Sequence, residues 1–142
     1  MITRAQVVAE ARTWIDTPWI HQHRAKGVGV DCIGLIICVA RDLGISAPDT
    51  DYTGYGRRPD GSLLSLCDQH MVRISRDAMQ PGDVLVLAVE NDPQHMGIIG
   101  DYRHGGLSLI HAASKAGRVI ETRLMFAANQ KFRGAYALPG VV

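Results

Sequence analysis

Residues 83–112 read DVLVLAVENDPQHMGIIGDYRHGGLSLIHA, three short apolar runs broken by two clusters of turn-forming residues. The runs are Asp83–Val89, His95–Gly100 and Leu107–Ala112, and the breaks are Asn91-Asp92-Pro93 and His104-Gly105-Gly106. Apolar stretches of this length, bounded by Gly, Pro, Asn and Asp, predict strands joined by tight connections. The pattern extends outward on both sides. Gln80-Pro81-Gly82-Asp83 turns the chain into the first run and Met71–Ile74 precedes it. Arg118–Thr122 and Arg133–Leu138 follow, the former after Lys115-Ala116-Gly117.

Upstream of residue 71 the period is helical. Thr3 can cap a helix through about Ile15, because Val7, Val8, Ala11, Trp14 and Ile15 recur at helical spacing, and Thr17-Pro18 should end it. Trp19–Val30 has no periodicity and reads as a loop. Asp31 offers an N-cap for a helix from Cys32 to about Leu43, closed by Gly44. Ile33, Leu35, Ile36, Ile37, Val39 and Ala40 leave that helix almost no polar side, so it should be buried. Residues 46–60 carry Pro48, Gly54, Gly56 and Pro59 and read as an irregular connection, before a short third helix over Leu63–His70. Helices first and short strands after predict an α+β fold: N-terminal helices packed on a central antiparallel sheet of five to six strands. Neither an internal repeat nor a linker divides residues 1–142, so a single domain is expected.

Composition excludes little but narrows the partners. A net charge of +1 provides no field to attract nucleic acid or an anionic surface. The longest apolar run, Ile33–Ala40 with one glycine in it, falls far short of the roughly 20 residues a membrane span needs, so no membrane insertion is expected. The opening MITRAQVVAEARTW lacks the continuous apolar stretch of a secretory signal, which predicts synthesis in a cytosol. The three cysteines, Cys32, Cys38 and Cys67, lack CxxC spacing, and their odd number leaves at least one thiol outside any disulfide. Thiolate chemistry is therefore open to this chain.

Cys32 is the candidate nucleophile. The first turn of a helix presents backbone N–H groups without intrahelical partners and partial positive charge, and both favour a thiolate. Gly34 is unusual inside a helix and predicts a close neighbour, with the sheet that carries the base as the expected one. Cys38 lies about 240° around the same helix from Cys32 at 100° per residue, which assigns it to the core. Cys67 also reads as a packing residue. A hairpin closed at His104-Gly105-Gly106 puts His95 and His111 at the same end of two paired strands, within reach of a ring-to-ring hydrogen bond. His95 would then be the base and His111 the group that fixes its tautomer, a role that needs only an acceptor for the base's other N–H. His21 and His23 could join them around zinc, but no acidic partner stands at a ligand spacing, and no metal is expected.

These residues resemble a known family. Thr17-Pro18-Trp19 followed by Gly29-Val30-Asp31-Cys32-Ile33-Gly34-Leu35 is similar to the nucleophile motif of NlpC/P60 cell-wall peptidases. Gln80-Pro81-Gly82-Asp83-Val84 resembles the turn into that family's first central strand, His95-Met96-Gly97-Ile98-Ile99 its base strand, and Ile110-His111-Ala112 its third catalytic position. The four motifs stand in the family's order from Thr17 to Ala112. The resemblance implies a papain-like α+β fold and a cysteine peptidase that hydrolyses amide bonds in peptidoglycan stem peptides, usually beside γ-D-glutamyl linkages, without a cofactor. In that chemistry a Cys32 thiolate paired with protonated His95 attacks the carbonyl, and His111 orients His95. Trp19, His21 and Asp31 are the expected substrate-binding residues. The wording around Trp19 and Cys32 is closer to the phage tail-associated branch, which implies tail hub or tip proteins as partners and the virion tail as the location.

Two positions depart from the family. Ile33 stands where serine often follows the nucleophile, and the region of Trp19 lacks the tyrosine whose hydroxyl helps polarise the scissile carbonyl. Two rival readings stay open: a mainly structural tail-tip subunit with weak or no turnover, and a thiol acyltransferase relative. In circularly permuted relatives of the second kind the histidine precedes the cysteine, the reverse of the order here.

Overall fold

The computed structural model describes residues 1–46, 51, 62–89, 92–126 and 130–142. The connection over 46–60 therefore lies, apart from Ser46 and Asp51, outside the described residues, and so does Asn91 of the second turn signal. Three helices, α1 (Arg4–Arg12), α2 (Cys32–Asp42) and α3 (Ser62–His70), precede most of the strands, as the periodicity predicts. Strands β3 (Val72–Ile74), β4 (Val84–Val89), β5 (Asp92–Asp101), β6 (Leu107–Ala113), β7 (Arg118–Arg123) and β8 (Gln130–Ala137) form one antiparallel sheet in the order β3-β8-β4-β5-β6-β7. The fold is α+β. No helix among the described residues is long and apolar enough to cross a membrane.

Helix α1 begins as its sequence dictates. Thr3 Oγ1 accepts from Gln6 N at 3.1 Å while Gln6 Oε1 accepts from Thr3 N at 2.8 Å, a reciprocal cap on two otherwise orphaned donors. Its end differs from the expected Ile15. The helix stops at Arg12, and Asp16 turns the chain through a left-handed φ of 74°. Pairing with the sheet edge overrides helical periodicity here: Asp16 N donates to Val119 O, Val119 N to Thr17 O, and Trp19 N to Gly117 O, at 2.8–3.0 Å. Trp14 nevertheless reaches the core.

The segment read as a loop over Trp19–Val30 contains a small hairpin, β1 (Arg24–Ala25) with β2 (Gly29–Val30), attached to the body by a Trp19–Val30 bridge. Strands of two residues are too short to show a period, which is why the sequence hides them. Gly29-Val30 delivers the chain directly into Asp31, the N-cap of α2.

The sheet is buried on both faces. Val84, Val86, Met96, Ile98 and Ile110 belong to a core shared with Val7 and Ala11 of α1 and Leu35 and Val39 of α2. Leu85, Leu87, Ile99 and Leu109 form a second, smaller core with Phe126 and Phe132 packed on it. Two-sided burial explains why residues 84–88 are apolar without alternation. At the Pro-Gly-Asp turn, fully buried Asp83 pairs with Arg4 and accepts from Gln80 N at 2.8 Å, pinning the entry of β4 to α1. Strand β8 returns from the C-terminal region to lie between β3 and β4.

Candidate active site

Strands β5 and β6 pair with Ile98 opposite Ile110 and Asp101 opposite Leu107, so the hairpin closes where the glycine pair predicts. That register brings His95 and His111 together. His95 Nε2 and His111 Nδ1 lie 2.6 Å apart with the rings edge-to-face, centroids 4.8 Å apart and planes at 69°. At this separation one proton is shared between the two nitrogens, leaving His95 Nδ1 as the other ring nitrogen. If His95 Nε2 carries that proton, His111 carries its own on Nε2, a buried atom without a hydrogen-bond partner among the described residues.

Burial governs the charge of the pair. It lowers His95 to a pKa of about 4. It also lowers His111 to about 3, with charge repulsion from His95 as the second cause. Both imidazoles are therefore neutral at neutral pH, since a charged ring would lose its hydration here.

Gly97 makes the contact possible, and the sequence reading missed its role. A Cβ on Gly97 would stand 2.9 Å from His111 Cβ, 2.8 Å from Ile110 O and 2.7 Å from Leu109 Cδ1. Any side chain there must push β6 or the His111 ring away. An isolated glycine inside a strand was the available signal, since it marks a close approach. Gly97→Ala is expected to keep the fold and lower kcat/KM about 100-fold, the effect of moving a positioned group by about 1 Å. Steady-state kinetics beside a thermal melt check this; a kinetically silent Gly97→Ala would remove Gly97 from the site.

Cys32 is the first residue of α2, and α2 packs against β5 and β6, the strands that carry the two histidines. It is half-buried, whereas Cys38 and Cys67 are buried, and no disulfide joins the three. Burial raises the Cys38 thiol and pushes Cys67 up to about 12, so both disfavour a thiolate. Asp31 caps the helix as expected: its Oδ1 accepts from Gly34 N and its Oδ2 from Gln22 N, both at 2.8 Å. Gly34 does have a close neighbour, but it is the small hairpin rather than the sheet. A Cβ there would meet Arg24 Nη1 at 2.6 Å and His23 O at 2.9 Å.

The remaining expected site residues surround that hairpin. Trp19 is half-buried against the main core and bridged to Val30. His21 Nδ1 lies 3.9 Å from Asp31 Oδ2. Asp31 is itself buried, with both oxygens accepting backbone N–H groups and Arg24 beside it. A cavity of about 820 Å³ opens between α2, α3 and the sheet, lined by Ile33 and Met96, the chain neighbours of Cys32 and His95, with Ile36, Leu63 and Leu138. Trp19, His21 and Asp31 are absent from its lining. No group of three or more His, Cys, Asp or Glu that could hold a metal gathers among the described residues.

Known proteins carry the same architecture. The NlpC/P60 domain of the peptidoglycan hydrolase SagA is 22% identical, with a TM-score of 0.66 over 96% of this chain and 99% of its own. NlpC2 from Trichomonas vaginalis reaches a TM-score of 0.70 at 15% identity, over 96% of this chain but 46% of its own. The peptidoglycan hydrolase RipB from Mycobacterium tuberculosis is 17% identical, with a TM-score of 0.58 over 95% of this chain and 64% of its own. A search of curated protein sequences finds no match. Residues 16–133 match the model of the NlpC/P60 family, a span that encloses all four motifs from Thr17 to Ala112, and this chain belongs to that family.

Proposed function

We propose that this protein is a cysteine peptidase that hydrolyses amide bonds in peptidoglycan stem peptides. The observation that carries the reading is the 2.6 Å contact between His95 and His111, on two strands against which the Cys32 helix packs. Cys32 is the nucleophile, His95 the base and then the acid, and His111 the group that orients His95.

Burial disfavours the His95 imidazolium, so a neutral His95 is the acceptor for the Cys32 proton. Cys32 Sγ loses its proton to His95 Nδ1 as it bonds to the scissile carbonyl carbon. The oxyanion is stabilised by backbone N–H at the start of α2. His95 then donates that proton to the leaving amine as the C–N bond breaks, and water activated by His95 hydrolyses the thioester. The aliphatic cavity beside Ile33 suits the alkyl parts of a stem peptide. Trp19 and His21 are the side chains proposed to reach the substrate from the hairpin side.

The motif wording around Trp19 and Cys32 further supports a place in a phage tail tip, where hub proteins are the partners and the host wall is the substrate. Digestion of defined muropeptides, with products identified by mass, tests the activity and names the bond. Cleavage within the stem peptide is the expected result. A protein that co-purifies with tail hub proteins yet releases no fragment would instead be the structural subunit.

A further inference from the structure

The glycine inside α2 and the half-buried Arg24 of the hairpin belong to one arrangement. Arg24 Nη1 donates to His23 O at 3.0 Å and to Asp31 Oδ1 at 3.1 Å, and its Nε donates to Asp51 Oδ1 at 3.2 Å. Its side chain is 11% exposed and that of Asp31 is 4% exposed, so this ion pair is largely withdrawn from water. The guanidinium occupies the space that any side chain at position 34 would fill. It therefore lies against the first turn of α2, the turn that Cys32 begins and Asp31 caps.

The electrostatic consequence follows from the position of Asp31, immediately before the cysteine. A buried carboxylate next to a nucleophilic sulphur opposes negative charge on that sulphur. A guanidinium against the same carboxylate cancels the opposition and adds to the positive end of the helix. We propose that Arg24 is a positioning residue for Cys32: it neutralises Asp31 and braces the first turn of α2 through the space left by Gly34. The proposal rests on the reading of Cys32 as nucleophile. Other titratable or charged groups near this turn include His21, 3.9 Å from Asp31, Asp51 on the far side of Arg24, and Cys38, whose thiol feels the Arg24 charge. His95 and His111 belong to the strands on which α2 packs.

The test is the rate of Cys32 alkylation by iodoacetamide against pH, read by mass spectrometry of the Cys32 peptide in the whole protein. Arg24→Met should move the midpoint of the alkylation curve upward and slow the reaction at pH 7 about tenfold, a shift of one pKa unit. Gly34→Ala should act in the same direction, because it retains the charge but displaces it. The double variant should be no worse than Arg24→Met alone, since both changes break one contact. Arg24→Lys should recover part of the effect, and Asp31→Asn in the Arg24→Met background should recover most of it. If Arg24→Met fails to fold, Gly34→Ala and Arg24→Lys still decide the matter by their midpoints. Midpoints at the wild-type value in these variants overturn the proposal. Hydrolysis by Cys32→Ala would instead overturn the nucleophile reading while leaving the alkylation result intact.

Discussion

Replacing Cys32 with alanine should abolish release of stem-peptide fragments from purified peptidoglycan while leaving thermal stability within about 1 kcal/mol of the parent. The first half follows from covalent catalysis. Without the sulphur there is no acyl-enzyme, and the loss of a nucleophile costs on the order of 10⁴- to 10⁶-fold in kcat. The second half follows from position. Cys32 is only half-buried at the first residue of α2, and alanine is the best helix former. The other two cysteines should behave in the opposite way. Cys38 and Cys67 are core residues, so their alanine variants should lose about 1–2 kcal/mol to cavities and keep kcat. Paired melts and fragment-release assays on the three variants separate the cases. Turnover by Cys32→Ala would end the cysteine-peptidase reading.

The residues that were legible in sequence are those whose local chemistry is self-contained. Asp31 and Thr3 sit where a capping oxygen is needed, and both cap. His95 and His111 meet because a glycine pair fixes the turn between their strands, and a fixed turn fixes the register. What stayed hidden depends on segments distant in the chain. Helix α1 ends three residues before its periodicity does, because Asp16 and Thr17 bond to Val119 across the fold. Strand β8 enters the sheet between β3 and β4, a choice with no local signature in 130–137. The β1–β2 hairpin is too short to show a pattern, and with it the position of Arg24 was invisible. Gly34 and Gly97 were the exceptions, glycines in regular elements that each announced a close neighbour. Neither announced which one: the neighbour of Gly34 is an arginine side chain, and that of Gly97 is the catalytic candidate His111 with the Ile110 backbone.

The family departures become easier to place within this geometry. Ile33 replaces the hydroxyl that often follows the nucleophile, and here it lines an aliphatic cavity together with Ile36 and Met96. Position 33 thus presents apolar surface to that cavity, one residue after the proposed nucleophile. Preference should therefore move toward stem peptides with alkyl groups at that subsite. In the proposed mechanism the oxyanion is held by backbone N–H at the start of α2, which neither the Ile33 nor the Trp19 side chain supplies.

The pH dependence should be displaced toward acid by a wide margin. An ordinary histidine at 6.5 is about 3% neutral at pH 5, whereas one held at about 4 by burial, as His95 is, is about 90% neutral. If neutral His95 is the base, kcat/KM at pH 5 should stay close to its plateau, about thirtyfold above the value expected for a solvent-exposed imidazole. Stability should carry the same signature with a definite sign. Between pH 6.5 and about 4 the unfolded chain binds a proton at this position and the folded chain does not, so stability falls as pH falls, by about 1.4 kcal/mol per pH unit from His95. Lowered His111 adds a slope of the same sign. Above pH 6.5 both states are neutral at these positions and the dependence flattens. Denaturant melts across this window, with His95→Gln as the reference that loses its share of the slope, measure the effect directly. An acid limb at 6.5 would show that the His95 ring is hydrated in solution.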